Sequence, residues 1–404
     1  MEIIQAFKYQ LQPSSEQSML LSRFAGSCRF VFNKALDIQR SNHENGGQFI
    51  GYVDMAKRLT AWRNGDETPW LKAAPVHPLQ HALKHLDISF KNFFAKRSAF
   101  PRFKKRGQHD SFRYPDSKQI KLDQQNGRVL LPKLGWVRYR NSRSVLGEVR
   151  NATISYRGGR WYISIQTRRV VENPKHPSSS MVGLDAGIKR FYTLCDGSYA
   201  EPLNSFKKHE RRLARYQRRM ARKQKFSNNW KKAKAKVSRI HADIANARLD
   251  YLSKHANTIS KNHAVVCIED LRVSNMSRSA KGSTDQPGKN VRAKSGLNKS
   301  ILDQGWSIFA NQLDYMLGWK GGILVRVPAK NTSRACPACG HVDKLNRPSQ
   351  SVFQCVACGH AGNADHVAAI NIKAAGHAVL ACGEKVLSGL SMKQEPTEVV
   401  RAVA

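Results

Sequence analysis

Two sets of residues in this 404-residue chain have types and spacings that could do chemistry. The first is thiol. Cys336 and Cys339 in "CPACG" are followed, after fifteen intervening residues, by Cys355 and Cys358 in "CVACG". Each Cys-x2-Cys pair is a knuckle whose two sulfurs converge from one tight turn. The glycine after each pair, Gly340 or Gly359, permits the left-handed backbone that such a turn often needs. Two knuckles supply four thiolates at tetrahedral geometry, the closed ligand set of one structural Zn²⁺. No ligand position stays open, so a catalytic zinc is not expected. A redox dithiol is the alternative, and it would not need two copies. Cys28, Cys195, Cys267 and Cys382 stand outside the pattern. Cys195 and Cys267 lie in apolar strand contexts and read as small buried hydrophobes.

The second set is carboxylate. Asp185 ends the apolar run "MVGLD" within "GLDAG". Glu269 ends "AVVCIE", with Asp270 beside it. Asp365 opens "ADHVAAINIKAAG", a helical stretch whose apolar face includes Val367, Ile370 and Ala374. Acids at two strand ends and one helix start can converge at one edge of a sheet. Converged carboxylates repel and do not all stay ionised without cations. Mg²⁺ takes hard oxygen ligands. Two such ions, about 4 Å apart, activate a water and stabilise the leaving oxygen in phosphodiester cleavage. Each acid alone also has a plainer reading: a turn aspartate, an exposed strand end, a helix cap. Spacing does not decide between them.

The elements that must position these residues are legible in outline. "EIIQAFKYQL" alternates like a strand and stops at Pro13. Ser14 and Gln17 fit a capping box. Leu20, Phe24, Val31, Ala35 and Ile38 then recur at helical spacing, as do Leu79, Leu83, Leu86, Phe90 and Phe93 further on. Residues 14–97 therefore read as a helical unit, with core packing as the role of its aromatics. From "FPRFKKRG" the texture turns to Val, Ile, Tyr and Trp. Residues 100–172 read as a β-barrel or sheet with "RGGR" as a hairpin turn. Arg and Lys interleaved with aromatics suit phosphate contact and base stacking, and equally an ordinary exposed sheet. "VENPKHPSSS" is a linker. "HAVVCIEDL" and "GILVRVP" are strands, "LDQGWSIFANQLDYMLGWKG" is a helix, and "NMSRSAKGSTDQPGKNVRAKSG" is a polar loop.

Charge narrows the partner. Lys plus Arg number 68 against 29 acids, a net +39. Self-repulsion of that size calls for a polyanion, and nucleic acid is the one expected. No apolar run approaches the roughly 20 residues that span a bilayer. The N-terminus lacks the basic start and apolar core of a signal peptide. A cytosolic protein with reduced or metal-bound cysteines is expected. The excess peaks between Lys207 and Arg239, with 15 Lys or Arg and a single acid, Glu210. Leu213, Tyr216 and Met220, then Val237, Ile240, Ile244, Ala247 and Tyr251, mark a long helical hairpin with an apolar seam. Like charges at i,i+4 oppose a helix, and a phosphate backbone along that face would remove the cost.

Taken in order, "GLDAG", "CIEDL", "NTSRACPACGH", "FQCVACGH" and "ADHVAAINI" resemble the TnpB family, insertion-sequence proteins akin to compact single-protein CRISPR nucleases. "FPRFKKRG" and "LPKLGWVRYR" extend the resemblance upstream, and it covers roughly residues 1–380. It implies a multidomain α+β protein. Residues 176–332 and 360–380 would form a RuvC-like nuclease domain of RNase H fold, with the zinc ribbon inserted at 333–359. Residues 1–13 and 98–175 would form a wedge-like β-barrel, 14–97 a helical recognition domain, and 381–404 a disordered tail. The catalytic acids map onto Asp185, Glu269 and Asp365, holding two Mg²⁺. The ribbon ligands map onto Cys336, Cys339, Cys355 and Cys358. The implied activity is guided cleavage of double-stranded DNA beside a short transposon-associated motif. The guide RNA comes from the transposon end, and base pairing reads most of the target. Tyr52 and Gln80 resemble DNA-contacting positions. Arg211, Arg212, Arg215, Arg218, Arg219 and Arg222 are the candidate nucleic-acid contacts of the cationic helix. A monomer is favoured. One departure stands out: the family often has Asn two residues after the last acid, and Val367 occupies that place. A non-catalytic RNA-guided repressor or transposition regulator, and a strand-joining transposase, are the competing expectations.

Overall fold

The computed structural model describes residues 1–108 and 110–382. The expected tail therefore lies, from residue 383 on, outside the described residues. The chain forms two compact units. One holds Met1–Glu172 with Arg215–Ala242, and the other holds Asn173–Ala214 with the residues from Asp243 onward.

In the first unit, β1 (Glu2–Gln12) is followed at once by α1 (Ser15–Glu44). The capping box forms: Ser14 Oγ accepts from Gln17 N–H at 3.1 Å, and Gln17 Oε1 accepts from Ser14 N–H at 3.1 Å. α1 buries Leu21, Phe24, Cys28, Val31 and Ala35, one stripe at helical spacing. α2 (Tyr52–Asn64) and α3 (Val76–Phe94) complete the helical part, with Leu79, Leu83, Leu86 and Phe90 of α3 buried. The strands β2 (Ser111–Tyr114), β3 (Lys121–Asp123), β4 (Arg128–Leu131), β5 (Gly135–Tyr139), β6 (Glu148–Arg157) and β7 (Arg160–Val170) join β1 in one antiparallel sheet. Its order is β2-β6-β7-β1-β5-β4-β3. Gly158 and Gly159 turn the β6–β7 hairpin with φ of +59° and +83°, as the two-residue turn that suits strand twist requires.

The cationic segment forms α4 (Ser205–Ala221) and α5 (Asn228–Asn262), each with residues in both units. Val237, Ile240 and Ile244 are buried as the spacing predicts. Ala247 is exposed, and the buried stripe of α5 continues instead through Leu252, Ala256 and Ile259.

The second unit is built on a mixed sheet of β8 (Met181–Ala186), β9 (Tyr192–Leu194), β10 (Tyr199–Ala200), β11 (Val265–Glu269) and β12 (Ile323–Val327). The order is β10-β9-β8-β11-β12. β8, β11 and β12 run parallel, β9 is antiparallel to β8, and β10 is antiparallel to β9. Side chains alternate between two covered faces. Val182, Leu184, Val266 and Ile268 pack with Leu252, Ala256 and Ile259 of α5. The short helix α6 (Val273–Met276) precedes α7 (Val291–Gln304) and α8 (Trp306–Gly318); Phe309, Leu313 and Leu317 of α8 join that same cluster. Cys267, Val325 and Val327 face the other way, onto Ile372 of the last helix. β13 (Val352–Gln354) and β14 (Ala361–Asn363) form a small hairpin that leads into that helix, α9 (Ala364–Cys382).

Two elements differ from the sequence expectation. The stretch read as one helix around residue 305 is two. Gly305 takes φ +75°, ending α7 and opening α8, and a Cβ there would come 3.2 Å from Arg248 and Leu252. The end of the expected polar loop, from Val291, belongs to α7. Asp303 fixes this corner. Its carboxylate accepts from Ser205 Oγ (3.0 Å) and from the N–H groups of Phe206 and Lys207 at the start of α4. It also pairs with Arg248 at 2.6 Å. Among the described residues no helix is long and apolar enough to cross a membrane.

Candidate active site and zinc centre

The strands explain why the first two acids meet. β8 and β11 are parallel with Leu184 beside Ile268 and Gly183 beside Cys267. Continued one step, this register sets Asp185 beside Glu269, and registered neighbours share a face. That face is the one α9 covers. Asp270, the next residue, is exposed, with its N–H bonded to Val327 O.

Gly183 brings the third acid. A Cβ on Gly183 would lie 2.1 Å from Ala369 O and 2.6 Å from Lys373 N, both backbone atoms of α9. Only glycine lets the helix lie this close. Further along, a Cβ on Gly376 would lie 2.2 Å from Cys267 Sγ. The helix is thus held to the sheet at two glycines, one in a strand and one in the helix. Asp365, Ala369, Ile372 and Gly376 follow i, i+4, i+7, i+11, so Asp365 lies on the same face, over the strand ends. It is not the helix cap. Asn363 holds that place, its Oδ1 accepting from the N–H groups of Asp365 (3.1 Å) and His366 (3.3 Å). The Asp365 carboxylate is therefore not spent on capping.

The electrostatics record the convergence. Burial pushes the Asp185 carboxyl up to about 7, helped by the charges of Glu269 and Asp365 and opposed by Arg347 and the Ala186 N–H. Glu269 is also raised, first by burial, against a hydrogen bond from Thr332 and the charge of Arg347. Three carboxylates face one guanidinium, which leaves an excess of two negative charges when all are ionised. That donor set, hard oxygens with uncompensated charge, fits a divalent cation. The oxygens are not gathered as tightly as the thiols: among the described residues only the four cysteines form a ligand group within 4.8 Å.

Arg347, Thr332 and Asn371 touch the acids or the root of the ribbon, and residue spacing did not single them out. Arg347 reaches from the zinc ribbon to within 3.8 Å of Asp365. Thr332 Oγ1 donates to Glu269 Oε1. Asn371 Nδ2 on α9 donates to Thr332 O and Ala335 O, both at 2.8 Å, tying the root of the ribbon to the helix. Of the three, only Thr332 lies beside a cysteine knuckle in sequence, in "NTSRAC"; Arg347 falls between the knuckles and Asn371 in "ADHVAAINI", with no local pattern to mark either.

The thiols sit as the spacing predicts. Cys336 Sγ lies 3.6 Å from Cys358 Sγ, and Cys339 Sγ lies 3.6 Å from Cys355 Sγ. Tetrahedral zinc with bonds of about 2.3 Å sets its sulfurs about 3.8 Å apart, so the cage fits. The two knuckles repeat one pattern. Gly340 and Gly359 both take φ +75°, and their N–H groups return to Cys336 O and Cys355 O. Asn346, fully buried beside Arg347, donates to Arg334 O and His341 O and accepts from Val356 N–H, locking the knuckles together. Val367 packs with Cys336, Phe353, Cys355 and Ala364. It faces the ribbon core, so its apolar character suits its place.

The remaining predicted positions are scattered. Tyr52 opens α2 half-buried, with Lys84 Nζ 5.3 Å from its ring centre, and Gln80 lies one turn before Lys84 on α3. Arg211, Arg212, Arg215, Arg218, Arg219 and Arg222 are all exposed. Among the described residues none of them pairs with an acid, whereas Glu210 is engaged by Lys299 at 2.9 Å.

Three family models match the chain. One described as "Probable transposase" of the IS605 OrfB type matches residues 163–280, a "Cas12f1-like, TNB domain" matches 306–372, and a "Helix-turn-helix domain" matches 1–48. The chain is 58% identical over 404 residues, all of both chains, to an Escherichia coli (strain K12) protein named "Putative RNA-guided DNA endonuclease InsQ". It is 32% identical over 416 residues to a Streptomyces pristinaespiralis protein named "Putative RNA-guided DNA endonuclease", covering 100% of this chain and 98% of the other. Its fold is similar to a solved Cas12f1-sgRNA-target DNA complex, with TM-score 0.52 and 12% identity over 92% of this chain and 99% of that one.

Proposed function

We propose that this chain, which belongs to the IS605 OrfB (TnpB) family, is an RNA-guided DNA endonuclease. It would cut double-stranded DNA beside a short motif under direction of a guide RNA from its own transposon. The observation that carries the reading is the meeting of Asp185, Glu269 and Asp365 on one face of the five-stranded sheet, beside Arg347. That sheet supports a RuvC-like reading of the second unit. The seven-stranded sheet and the helices at 14–97 support a wedge and a recognition domain in the first.

Asp185, Glu269 and Asp365 would hold two Mg²⁺, and Cys336, Cys339, Cys355 and Cys358 one structural Zn²⁺. Bound Mg²⁺ supplies Lewis acidity and an activated water for phosphodiester hydrolysis. The chain's own residues prepare the site. Thr332 fixes one oxygen of Glu269 by donating to it. Asn363 takes over the capping of α9, leaving Asp365 unspent. Arg347 offsets part of the carboxylate charge and is near enough to donate to a phosphate oxygen. The six exposed arginines of the cationic helix suit an RNA backbone. The work is that of a cytosolic, monomeric ribonucleoprotein.

Val367 gives no support to a non-catalytic repressor, because it packs into the ribbon core and displaces none of the acids. The test is cleavage of motif-bearing DNA by protein purified with its own guide. Cutting is expected for the parent and absent for Asp185→Ala with guide and target binding retained. An Asp185→Ala protein that still cuts would sink the assignment.

A further inference from the structure

The row containing the first two acids extends further across the sheet. Asp185 pairs with Thr193 on β9, and Thr193 pairs with Tyr199 on β10. Directly paired residues share a face, so Tyr199 stands on the α9 face, two strands or about 10 Å from Asp185. Glu269 stands one strand away on the other side. The row changes character along its length. Thr193 is 1% exposed, whereas Tyr199 is 50% exposed.

Tyr199 is held in place. Its neighbour Ala200 is buried, with its carbonyl accepting from Phe191 N–H at 2.7 Å. The turn before it is set by Gly197 at φ +87° and by Ser198 N–H on Asp196 Oδ1. The ring is not bare. The guanidinium of Arg190, from the β8–β9 connection, lies 3.8 Å from its centroid. No carboxylate pairs with Arg190 among the described residues, and Lys189 beside it is exposed. An anchored ring with open surface, a guanidinium stacked on it and a free cation adjacent combine the two features that hold single-stranded nucleic acid: a flat surface for a base and positive charge for its phosphate.

We propose that Tyr199 and Arg190 form a stacking platform for a base of the single DNA strand presented to the carboxylates, with Lys189 on the adjoining phosphate. This rests on the nuclease reading above. Stacked nucleotides advance roughly 3.4 Å each, so the platform's base lies within about three nucleotides of the bond cut. The platform grips the strand being cut and plays no part in target search, which base pairing performs.

Two measurements test it. In the first, guide-loaded Tyr199→Ala, Arg190→Ala and Tyr199→Trp proteins are compared in single-turnover cleavage with product ends mapped. Removing a stacking ring costs about tenfold or more, so Tyr199→Ala is expected to cut at least that much more slowly and at scattered positions. Target affinity should be unchanged, and Tyr199→Trp should restore rate and position. In the second, the Asp185→Ala protein is bound to target whose strands carry 5-iodouracil at successive positions, then irradiated. A crosslink to Tyr199 is expected within about three nucleotides of the parent's cut site. Tyr199→Ala and Arg190→Ala proteins that cut at parental rate and position, with no crosslink to Tyr199, would overturn the platform while leaving the nuclease reading intact. Should the guided parent cut nothing, the nuclease reading falls, and the crosslink alone decides whether Tyr199 receives DNA.

Discussion

Replacing Gly183 by alanine adds one methyl group where β8 crosses α9. The new Cβ would lie 2.1 Å from Ala369 O, 2.6 Å from Lys373 N and 2.8 Å from Lys373 Cβ. Ordinary contact begins at 3.4 Å, so 3.4 − 2.1 = 1.3 Å must open. The two closest obstacles are backbone, and no rotamer change relieves them. Either α9 rides outward or β8 recedes. Asp365 lies one helical turn before Ala369, so it moves with the helix while Glu269 stays on β11. A misplacement of about 1 Å costs on the order of a hundredfold in rate, and overpacking costs about 1–3 kcal/mol in stability. The assay is single-turnover cleavage at a temperature well below the unfolding midpoint, with thermal denaturation, zinc content and target affinity measured on the same protein. We expect a rate loss near a hundredfold, a lowered midpoint, and retained zinc and target binding. Gly296→Ala is the control, because nothing lies within 4 Å of its Cβ; it should leave the rate alone and, at a helix position, stabilise by up to about 1 kcal/mol. A Gly183→Ala protein that cuts within about threefold of the parent would refute the idea that this close approach aligns Asp365.

Three further outcomes follow from the same geometry. The folded Asp185 carboxyl titrates at about 7 against an ordinary 3.8, so the metal-free fold binds its proton more tightly than the unfolded chain. That contribution is complete below pH 4 and is lost as pH rises through 7, up to about 4 kcal/mol. The rise in midpoint on adding Mg²⁺ should therefore grow from pH 5 to pH 8, and Asp185→Asn should flatten both trends; parallel curves for the two proteins would contradict this. Cys355→Ser should release zinc, loosen the ribbon core and free Arg347 from the acids, abolishing cleavage while guide binding persists; zinc assay and footprinting read the two halves separately. Asp303→Ala removes the buried acceptor at the start of α4 and leaves the half-buried Arg248 without its partner, so it should destabilise by about 1.5–3 kcal/mol in chemical denaturation.

The zinc site was legible because its determinants are local. Two knuckles, each closed within five residues, need only a glycine at positive φ and a short hairpin to meet, and composition and spacing carry that information. Helices and strands followed from periodicity for the same reason. The break at Gly305 did not, since the apolar pattern runs straight through it and only the fold shows the left-handed backbone there that ends one helix and opens the next.

The acids are the opposite case. Asp185, Glu269 and Asp365 are spread over 180 residues of sequence, and each has an ordinary local explanation. Residue types and family resemblance named them, but their meeting depends on a parallel register between β8 and β11 and on a helix laid against Gly183. Arg347, Thr332 and Tyr199 were invisible for the same reason: each matters through a partner brought close by the fold. Sequence by itself determined which acids and thiols this protein carries, a net charge that calls for a polyanion, and the thiol cage that closes on itself. Only tertiary structure decided that Asp365 is freed from capping, that a ribbon arginine reaches the carboxylates, and that an exposed tyrosine stands in their row, because those facts depend on distances across the sheet that no local pattern encodes.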